Sequence, residues 1–410
     1  MNSNYDILIV GGGAAGFFTA INAAEMNPSL RIGLLERGKE VLTKVKISGG
    51  GRCNVTHAEY EPRELSKNYP RGEKELLGPF HSFMTGDTVA WFDSRGVELK
   101  TEEDGRMFPV SNSSQSIIDC FLAEIERLSI DVLMNNSVKQ ISKDGEIWKV
   151  ETTNQVLEAS VLVIATGSNP KIWKLLEQLG HTIVPPVASL FTFNIKDVRI
   201  LDLPGVSMLA NIKILNDKHK VELESEGPLL ITHWGMSGPA ILKLSAWGAR
   251  ILAPRDYRFT IIVNWLLDLS EEEVLSQLMN KKGEFPKQTI LKYTQFGLPK
   301  RLWQNMVKAV GIDATEIWAE ITKKKLQNLA QQLTASYFEV NGKSTFKEEF
   351  VTAGGVDLKE VNFKTFESKK CQGLYFAGEV MNIDAITGGF NFQNAWTGGY
   401  MVAQAISKQL

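Results

Sequence analysis

The segment Gly11-Gly12-Gly13-Ala14-Ala15-Gly16 constrains this chain more than any other. It sits between a continuous apolar run, Asp6 to Val10, and a small-residue helix pattern from Ala14 to about Met26. A short apolar run that ends in glycine reads as a buried parallel strand. A second run, Arg31 to Glu36, completes a βαβ opening. In such a turn Gly11 permits the tight bend. Gly13 lets the backbone approach a pyrophosphate, and Gly16 lets helix and strand pack closely. The helix start at Ala14 and Ala15 then faces the phosphates with free N–H groups and the positive end of its dipole. Glu36 lies 20 residues after Gly16, where its carboxylate accepts from both ribose hydroxyls. An acid there disfavours a 2′-phosphate. Strand, helix and acid together predict a dinucleotide site, but they do not separate FAD from NAD.

The far end of the chain makes that choice. Leu374 to Phe376 reads as a strand that runs through Ala377 into Gly378-Glu379, and Gly388-Gly389 opens a helix that runs from near Asn391 to about Ser407. Two sites at opposite ends of a chain fit one extended cofactor, and FAD has that length. The adenosine half would lie on the first βαβ, and the flavin on the second site. The helix start would then face the flavin pyrimidine edge and favour negative charge on the reduced ring. Ala165-Thr166-Gly167 is the expected crossing point, and Val138 an expected backbone contact to adenine. The candidate cofactor contacts are Gly11, Gly13, Ala14, Ala15, Gly16, Glu36, Arg37, Lys44, Gly51, Arg52, Cys53, Val138, Ala165, Thr166, Gly167, Gly378, Glu379, Asp384, Gly388, Gly389, Asn391 and Phe392.

With 410 residues the chain exceeds a single core, so two or three domains are expected. The stretch 43–57 reads as a basic, glycine-rich loop, and 113–129 as a helix capped near Ser113 or Ser114. Residues 146–152 and 156–159 suggest a small antiparallel meander. After Pro185-Pro186 the texture changes to short period-two segments at 190–195, 210–215, 219–224 and 258–265. A lysine-rich helical stretch follows, from Ser270 to about Ala335. Strands resume at 337–340 and 349–352. The expected division is an FAD-binding domain at 1–188 and 357–410, an inserted β-barrel at 189–268 and 336–356, and a helical subdomain at 269–335.

Charge is balanced, with 45 Lys and Arg against 47 Asp and Glu. No bulk attraction to nucleic acid or to an anionic membrane follows. The Lys323-Lys324-Lys325 run, with Lys281, Lys282 and Lys287, reads as a solvated helical face. Three scattered cysteines form no CxxC pair and suggest no metal site. No window holds the ~18 apolar residues of a membrane span. The chain start runs directly into the first strand, which leaves no room for a signal peptide. A cytoplasmic protein with no nucleic-acid partner and no membrane partner is therefore expected; its oligomeric state is not readable.

Several blocks resemble the HI0933-like flavoproteins of bacteria. They are Val10 to Gly16, Lys46 to Asn54, Gly105 to Pro109, Thr232 to Ala240, Val351 to Val356, and Phe376 through Glu379 to Gln393. They run in order along nearly the whole chain. The resemblance implies an α/β fold, a glutathione-reductase-like FAD-binding Rossmann domain with an inserted β-barrel and a small helical bundle. Asn382, Ala385 and Phe390 depart from the family pattern, where an acid, Gly and Tyr are usual. The resemblance also implies noncovalent FAD and oxidoreductase chemistry on a small organic substrate.

The catalytic residues are unknown from sequence. Cys53, in the Gly49-Gly50-Gly51-Arg52-Cys53-Asn54 loop, is a candidate redox thiol, although a buried packing residue is the expected alternative. His233, in Thr232-His-Trp-Gly-Met-Ser-Gly-Pro239, is the best histidine for acid–base work. Arg52, Lys44 and Lys46 are candidates to neutralise pyrophosphate or reduced flavin. No second strand-GxGxxG-helix unit follows Gly167. NAD(P)H, if it is the electron donor, would therefore bind transiently at the flavin face, with oxygen as another candidate partner. The alternative reading is an FAD protein with a non-redox or RNA-modification-related role.

Overall fold

A computed structural model describes residues 4–267, 269–344 and 351–410. The chain forms two compact units, Met1–Val187 with Val351–Leu410, and Ala188–Phe350.

The first unit is built on a nine-stranded sheet. Its parallel heart follows the order Asp131–Leu133, β2 (Ile32–Leu35), β1 (Asn4–Val10), Val156–Ile164, Leu374–Phe376. Ile7, Leu8 and Ile9 are fully buried, because helices cover both faces of a parallel sheet. The registers place Val10 beside Leu35 and Ile164, and Ile164 beside Phe376. All four strands therefore end at one level. The residues that follow them, Gly11, Glu36, Ala165 and Ala377, emerge on one rim, where α/β sheets bind ligands.

The helix α1 (Ala14–Met26) is buried from Ala15 to Ala24. It lies against the C-terminal helix Phe390–Gln409. A Cβ on Gly399 would stand 3.1 Å from the Ala15 carbonyl oxygen and from Thr19 Oγ1, so the helix backbones nearly touch. The expected meander forms from Val138–Asp144, Ile147–Thr152 and the start of Val156–Ile164. That last strand is one nine-residue element. It pairs antiparallel at its beginning with the meander and parallel along its length with β1.

Several boundaries differ from the sequence reading. Thr43–Gly51 is a helix, not a loop, broken at extended Ser48 and left-handed Gly49 and Gly50. The 113–129 helix is Gln115–Arg127, and its N-cap Ser114 caps nothing. The Ser114 hydroxyl donates to the Lys46 carbonyl instead.

The second unit holds a seven-stranded antiparallel sheet in the order Ser336–Asn341, Arg258–Asn264, Ser207–Leu215, Val221–Thr232, Gly235–Ser237, Thr192–Asn194, Lys343–Ser344. The helix Pro239–Trp247 was not anticipated there. Helices Glu271–Glu284, Lys300–Ala309 and Lys323–Thr334 fill the lysine-rich stretch. Their Leu278, Trp303 and Leu329 share one core with Phe193, Ile212 and Ile261 of the sheet. The stretch 269–335 is thus not a separate compact unit. Val351–Val356, expected with the inserted part, belongs to the first unit; it pairs with Ile183–Ser189 in a two-stranded sheet. Glu349 and Phe350 of the expected 349–352 strand lie outside the described residues. Among the described residues no helix is long and apolar enough to cross a membrane, and no group of three or more His, Cys, Asp and Glu side chains is placed to hold a metal.

One polar node ties the end of the first unit's sheet to its core. His181 is buried. Ser368 Oγ accepts from the Lys370 and Cys371 amides, so its own hydrogen points to His181 Nε2 at 3.0 Å. His181 Nδ1 then donates to Glu360 at 2.9 Å. Burial holds the His181 pKa below its ordinary value. Burial also works against the Glu360 charge, but bonds from Lys370, Thr182 and His181 bring its pKa down to about 2. Glu360 therefore stays charged at mild acidity, whereas the unfolded chain takes up a proton at His181 more readily than the native one. Stability is full above the unfolded histidine pKa of ~6.5 and falls as pH drops below it. The melting temperature should decline between about pH 7.5 and about pH 5.5, and His181→Gln should make that decline shallower. An identical pH profile in the variant would remove His181 as the cause.

Candidate functional site

The glycine-rich turn separates packing needs from an open cradle. A Cβ on Gly11 would stand 2.3 Å from the Ala165 carbonyl oxygen, and one on Gly16 would stand 2.0 Å from the Gly11 carbonyl oxygen. Both glycines are demanded by the protein's own backbone. A Cβ on Gly13 would meet nothing within 4 Å. Gly13 is the N-cap of α1, with extended φ −100° and no capping side chain. The first-turn N–H groups beyond it have no carbonyl of their own helix to bind, and α1 has no acid in its first turn. Uncapped donors beside an unfilled glycine face suit a phosphate group.

Beside this turn lies a cleft of about 180 Å³, lined by Gly11, Glu36, Arg37, Asn136, Val138 and Thr166 among others. Glu36 Oε2 accepts from the Gly12 amide at 3.0 Å, and Oε1 from the Gly38 amide at 2.7 Å. These bonds fix the carboxylate, and each oxygen keeps a lone pair for a ribose hydroxyl. Gly12, not singled out from sequence, has its own reason: a Cβ there would press on Glu36 at 2.9 Å.

A second group of candidate residues meets farther along the rim. Lys44 Nζ and Glu379 Oε2 form an ion pair at 2.9 Å. The Glu379 charge holds the Lys44 pKa above its ordinary value. Left-handed Gly167 lies against both, with a Cβ position 3.7 Å from Glu379 Oε2 and 4.0 Å from Lys44 Nζ. Gly378 is also left-handed, its Cβ position 3.2 Å from Ala15 Cβ. Residues 167, 378 and 379 thereby stand next to the first motif. Gly51 is left-handed and open, and its carbonyl accepts from the Ser114 amide.

The third group surrounds the start of the C-terminal helix, and here the candidates have partners within the protein. A Cβ on Gly389 would stand 2.5 Å from the Thr56 carbonyl oxygen, so the fold itself excludes a side chain. A Cβ on Gly388 would likewise strike the Phe390 ring at 2.7 Å. The Asn391 amide clamps Ala385, accepting from its N–H at 3.0 Å and donating to its carbonyl at 3.3 Å. Phe392 stacks on Trp396, with ring centroids 5.5 Å apart. Asp384 is fully buried and bonded by both Nε and Nη2 of Arg71, so it anchors the loop before the helix. Removing one partner of such a buried pair costs ~3–5 kcal/mol.

Three other candidates are also committed elsewhere. Cys53 is fully buried in the core at φ +60°. Burial raises its thiol pKa to about 12, so it is neutral at physiological pH and no thiolate is available. Arg52 pairs with Glu102 at 2.6 Å and lies over the Phe108 ring at 3.9 Å. Lys46 stands 3.7 Å from Glu40. His233 is exposed in the turn between Val221–Thr232 and Gly235–Ser237 of the second unit, without a hydrogen-bond partner among the described residues.

The sequence reading missed His57. Its Nδ1 lies 3.1 Å from the Gly388 carbonyl oxygen. A carbonyl only accepts, so Nδ1 carries a hydrogen and Nε2 is left as the free acceptor of the neutral ring. The ring stacks on Phe390 at 4.5 Å. A Cβ on Gly105 would stand 2.5 Å from Nε2, so the Gly105-Arg-Met-Phe-Pro109 block makes room for this imidazole. A lone histidine in a Gly-rich block carried the only signal, because its partners lie far away in sequence.

The family described as HI0933-like protein Rossmann domain matches residues 5–405. The chain is 30% identical to the ribosomal RNA dihydrouridine synthase of Haemophilus influenzae, over 100% of both chains. It is 24% identical to the 3-dehydro-bile acid delta(4,6)-reductase of Clostridium scindens, over 98% of each. In fold it is similar to the 3-ketosteroid delta1-dehydrogenase of Sterolibacterium denitrificans, with a TM-score of 0.53, 10% identity and 100% of both chains covered.

The two kinds of glycine should separate in experiment. Gly13→Ala should keep the wild-type melting temperature but weaken FAD binding at least tenfold, which is ~1.4 kcal/mol. Gly389→Val should lose the folded state, because Thr56 leaves it no room. Titration of apoprotein with FAD, beside thermal melts, reads both. Unchanged FAD affinity in Gly13→Ala would show that no phosphate approaches that residue.

Proposed function

The chain belongs to the HI0933-like family and is a flavin-dependent oxidoreductase; from that premise we propose that it reduces a carbon–carbon double bond conjugated to a carbonyl, and that the bond belongs to a uracil of ribosomal RNA. The whole-length similarity to the dihydrouridine synthase carries this reading. FAD held here would, when reduced, supply a hydride, and one hydride with one proton taken up across the C5–C6 double bond gives 5,6-dihydrouracil. NAD(P)H is the proposed source of the two electrons, and it visits the site only transiently.

The chain's own residues hold and tune the cofactor. Ala14 and Ala15, beyond the open face of Gly13, would offer N–H groups to the pyrophosphate. Glu36 would take the ribose hydroxyls, with Arg37 and Val138 near the adenine. Lys44, Gly167, Gly378 and Glu379 would serve the ribityl region. The start of the Phe390–Gln409 helix would offer its positive end to the flavin, where it would favour the negative charge of the reduced ring. Arg71 and Asp384, Asn391 and Ala385, and His57 and Gly388 keep that helix start in place. Held this way, it need not reorganise as charge develops.

The second reading is a small enone as substrate, supported by the similarity to the bile acid reductase. One experiment separates the two. The purified protein is reduced with NADPH or NADH and given either unmodified ribosomal RNA or a 3-oxo-4,6-diene steroid acid. Nucleoside mass spectrometry of the digested RNA, and chromatography of the steroid, report the product. Dihydrouridine in the RNA arm is expected. Product in the steroid arm alone would move the assignment to the second reading. Product in neither arm, from protein whose flavin NAD(P)H does reduce, would overturn both.

A further inference from the structure

The second unit carries cations where helix electrostatics disfavours them. Helix Glu271–Glu284 follows the usual arrangement, with Glu271, Glu272 and Glu273 in its first turn and Lys281 and Lys282 in its last. The other two long helices of that unit do not. Lys300–Ala309 begins with Lys300 and Arg301, and Lys323–Thr334 begins with three lysines; neither has an acid in its first turn. Positive side chains at the positive end of a helix are unfavourable. Between residues 285 and 312 the sequence has Lys287, Lys292, Lys300, Arg301 and Lys308 and no Asp or Glu.

The backbone brings part of this charge together. Residues 286–289 run antiparallel to 317–319, through the Thr289–Ile317 bridge and the bonds from Trp318 N to Gln288 O and from Ala319 N to Pro286 O. Lys282 Nζ reaches the Ile321 carbonyl at 2.5 Å. Lys287 therefore borders the strand-like stretch that leads into Lys323 and Lys324. Four carboxylates belong to this neighbourhood. Glu284 pairs with Lys281 and Glu316 with Lys325, Asp313 accepts from the Thr315 hydroxyl, and Glu320 is exposed on the stretch itself. Lys287, Lys292, Lys300, Arg301, Lys323 and Lys324 are exposed and, among the described residues, have no carboxylate partner. Tyr293 presents a 59% exposed ring, with Lys292 Nζ 5.3 Å from its centroid. Trp303 Nε1 bonds the Ile290 carbonyl and pins this loop.

We propose that this face of the second unit binds the sugar-phosphate backbone of RNA, with Tyr293 as a stacking surface for an unpaired base. Unneutralised cations on fixed backbone, next to an open aromatic ring, match a strand that alternates phosphates with flat bases. The proposal rests on the RNA reading of the substrate, and it goes beyond the expectation that these lysines are a solvated face.

The test uses the FAD-loaded protein and a labelled ribosomal RNA fragment, followed by fluorescence anisotropy across a salt series. Wild type should bind with a log–log salt slope of about −0.7 per phosphate contact. Lys323→Glu with Lys324→Glu, and separately Lys287→Glu with Lys292→Glu, should each weaken binding at least tenfold and flatten that slope. The Gln versions of the same changes should weaken it less. Tyr293→Ala should weaken binding without changing the slope. Flavin absorbance should match wild type in every variant, and none should melt below wild type, since acids at the start of Lys323–Thr334 suit its dipole. Wild-type affinity in both Glu variants, no binding at all, or equal binding to vesicles containing phosphatidylserine would overturn the proposal. Dihydrouridine formed at wild-type rate by the Glu variants would remove this face and leave the reaction standing. RNA bound through these lysines but never reduced would remove the reaction and leave the face.

Discussion

The first unit depends on one backbone contact, the lodging of Gly11 against the Ala165 carbonyl. A side chain at Gly11 would occupy the space of that oxygen, and a side chain at Gly16 would occupy the space of the Gly11 oxygen. These two absences let β1, α1 and the strand Val156–Ile164 meet without a gap. The strand ends then fall at one level, and the residues after them form one rim. That alignment brings Glu36, Thr166, Gly167 and Glu379 to the same rim. The open face of Gly13 has a different origin, because nothing in the protein fills it.

Local periodicity carried much of the fold. The βαβ opening, the central strand and the C-terminal helix are continuous patterns of apolar or small residues, and such patterns are read within a window of a few turns. Boundaries failed where local chemistry was ambiguous. The lysine and glycine stretch 43–51 forms a broken helix, and Thr232 to Ala240 conceals a turn followed by a helix. Neither has enough apolar repeat to declare itself. The shared core of the second unit was also hidden, since nothing local tells Trp303 that it will pack with Ile212.

The site was legible in outline and not in its particulars. Motif spacing singled out Glu36 and Gly13, which lie within one βαβ unit. It could not show what holds Asp384, Gly389 and Asn391 in place. Asp384 meets Arg71 from 313 residues away, and Gly389 meets Thr56 across a comparable distance in sequence. A residue whose partner is that remote looks unoccupied, and an unoccupied polar residue beside a motif invites a ligand role. His57 went unseen for the opposite reason: its neighbours Gly105, Gly388 and Phe390 give it meaning only in the folded chain.

The pairing of the first helix with the last has a consequence for synthesis. α1 is complete within the first 26 residues, yet the surface it needs is supplied by Gly399 and its neighbours at the other end. The strand Leu374–Phe376 and the helix start at Phe390 arrive equally late. During translation the amino-terminal half must wait, partly uncovered, while the second unit is made and buries its own core. The rim closes only once residues 374–399 have been made. A chain released before them should emerge colourless and exposed to proteolysis.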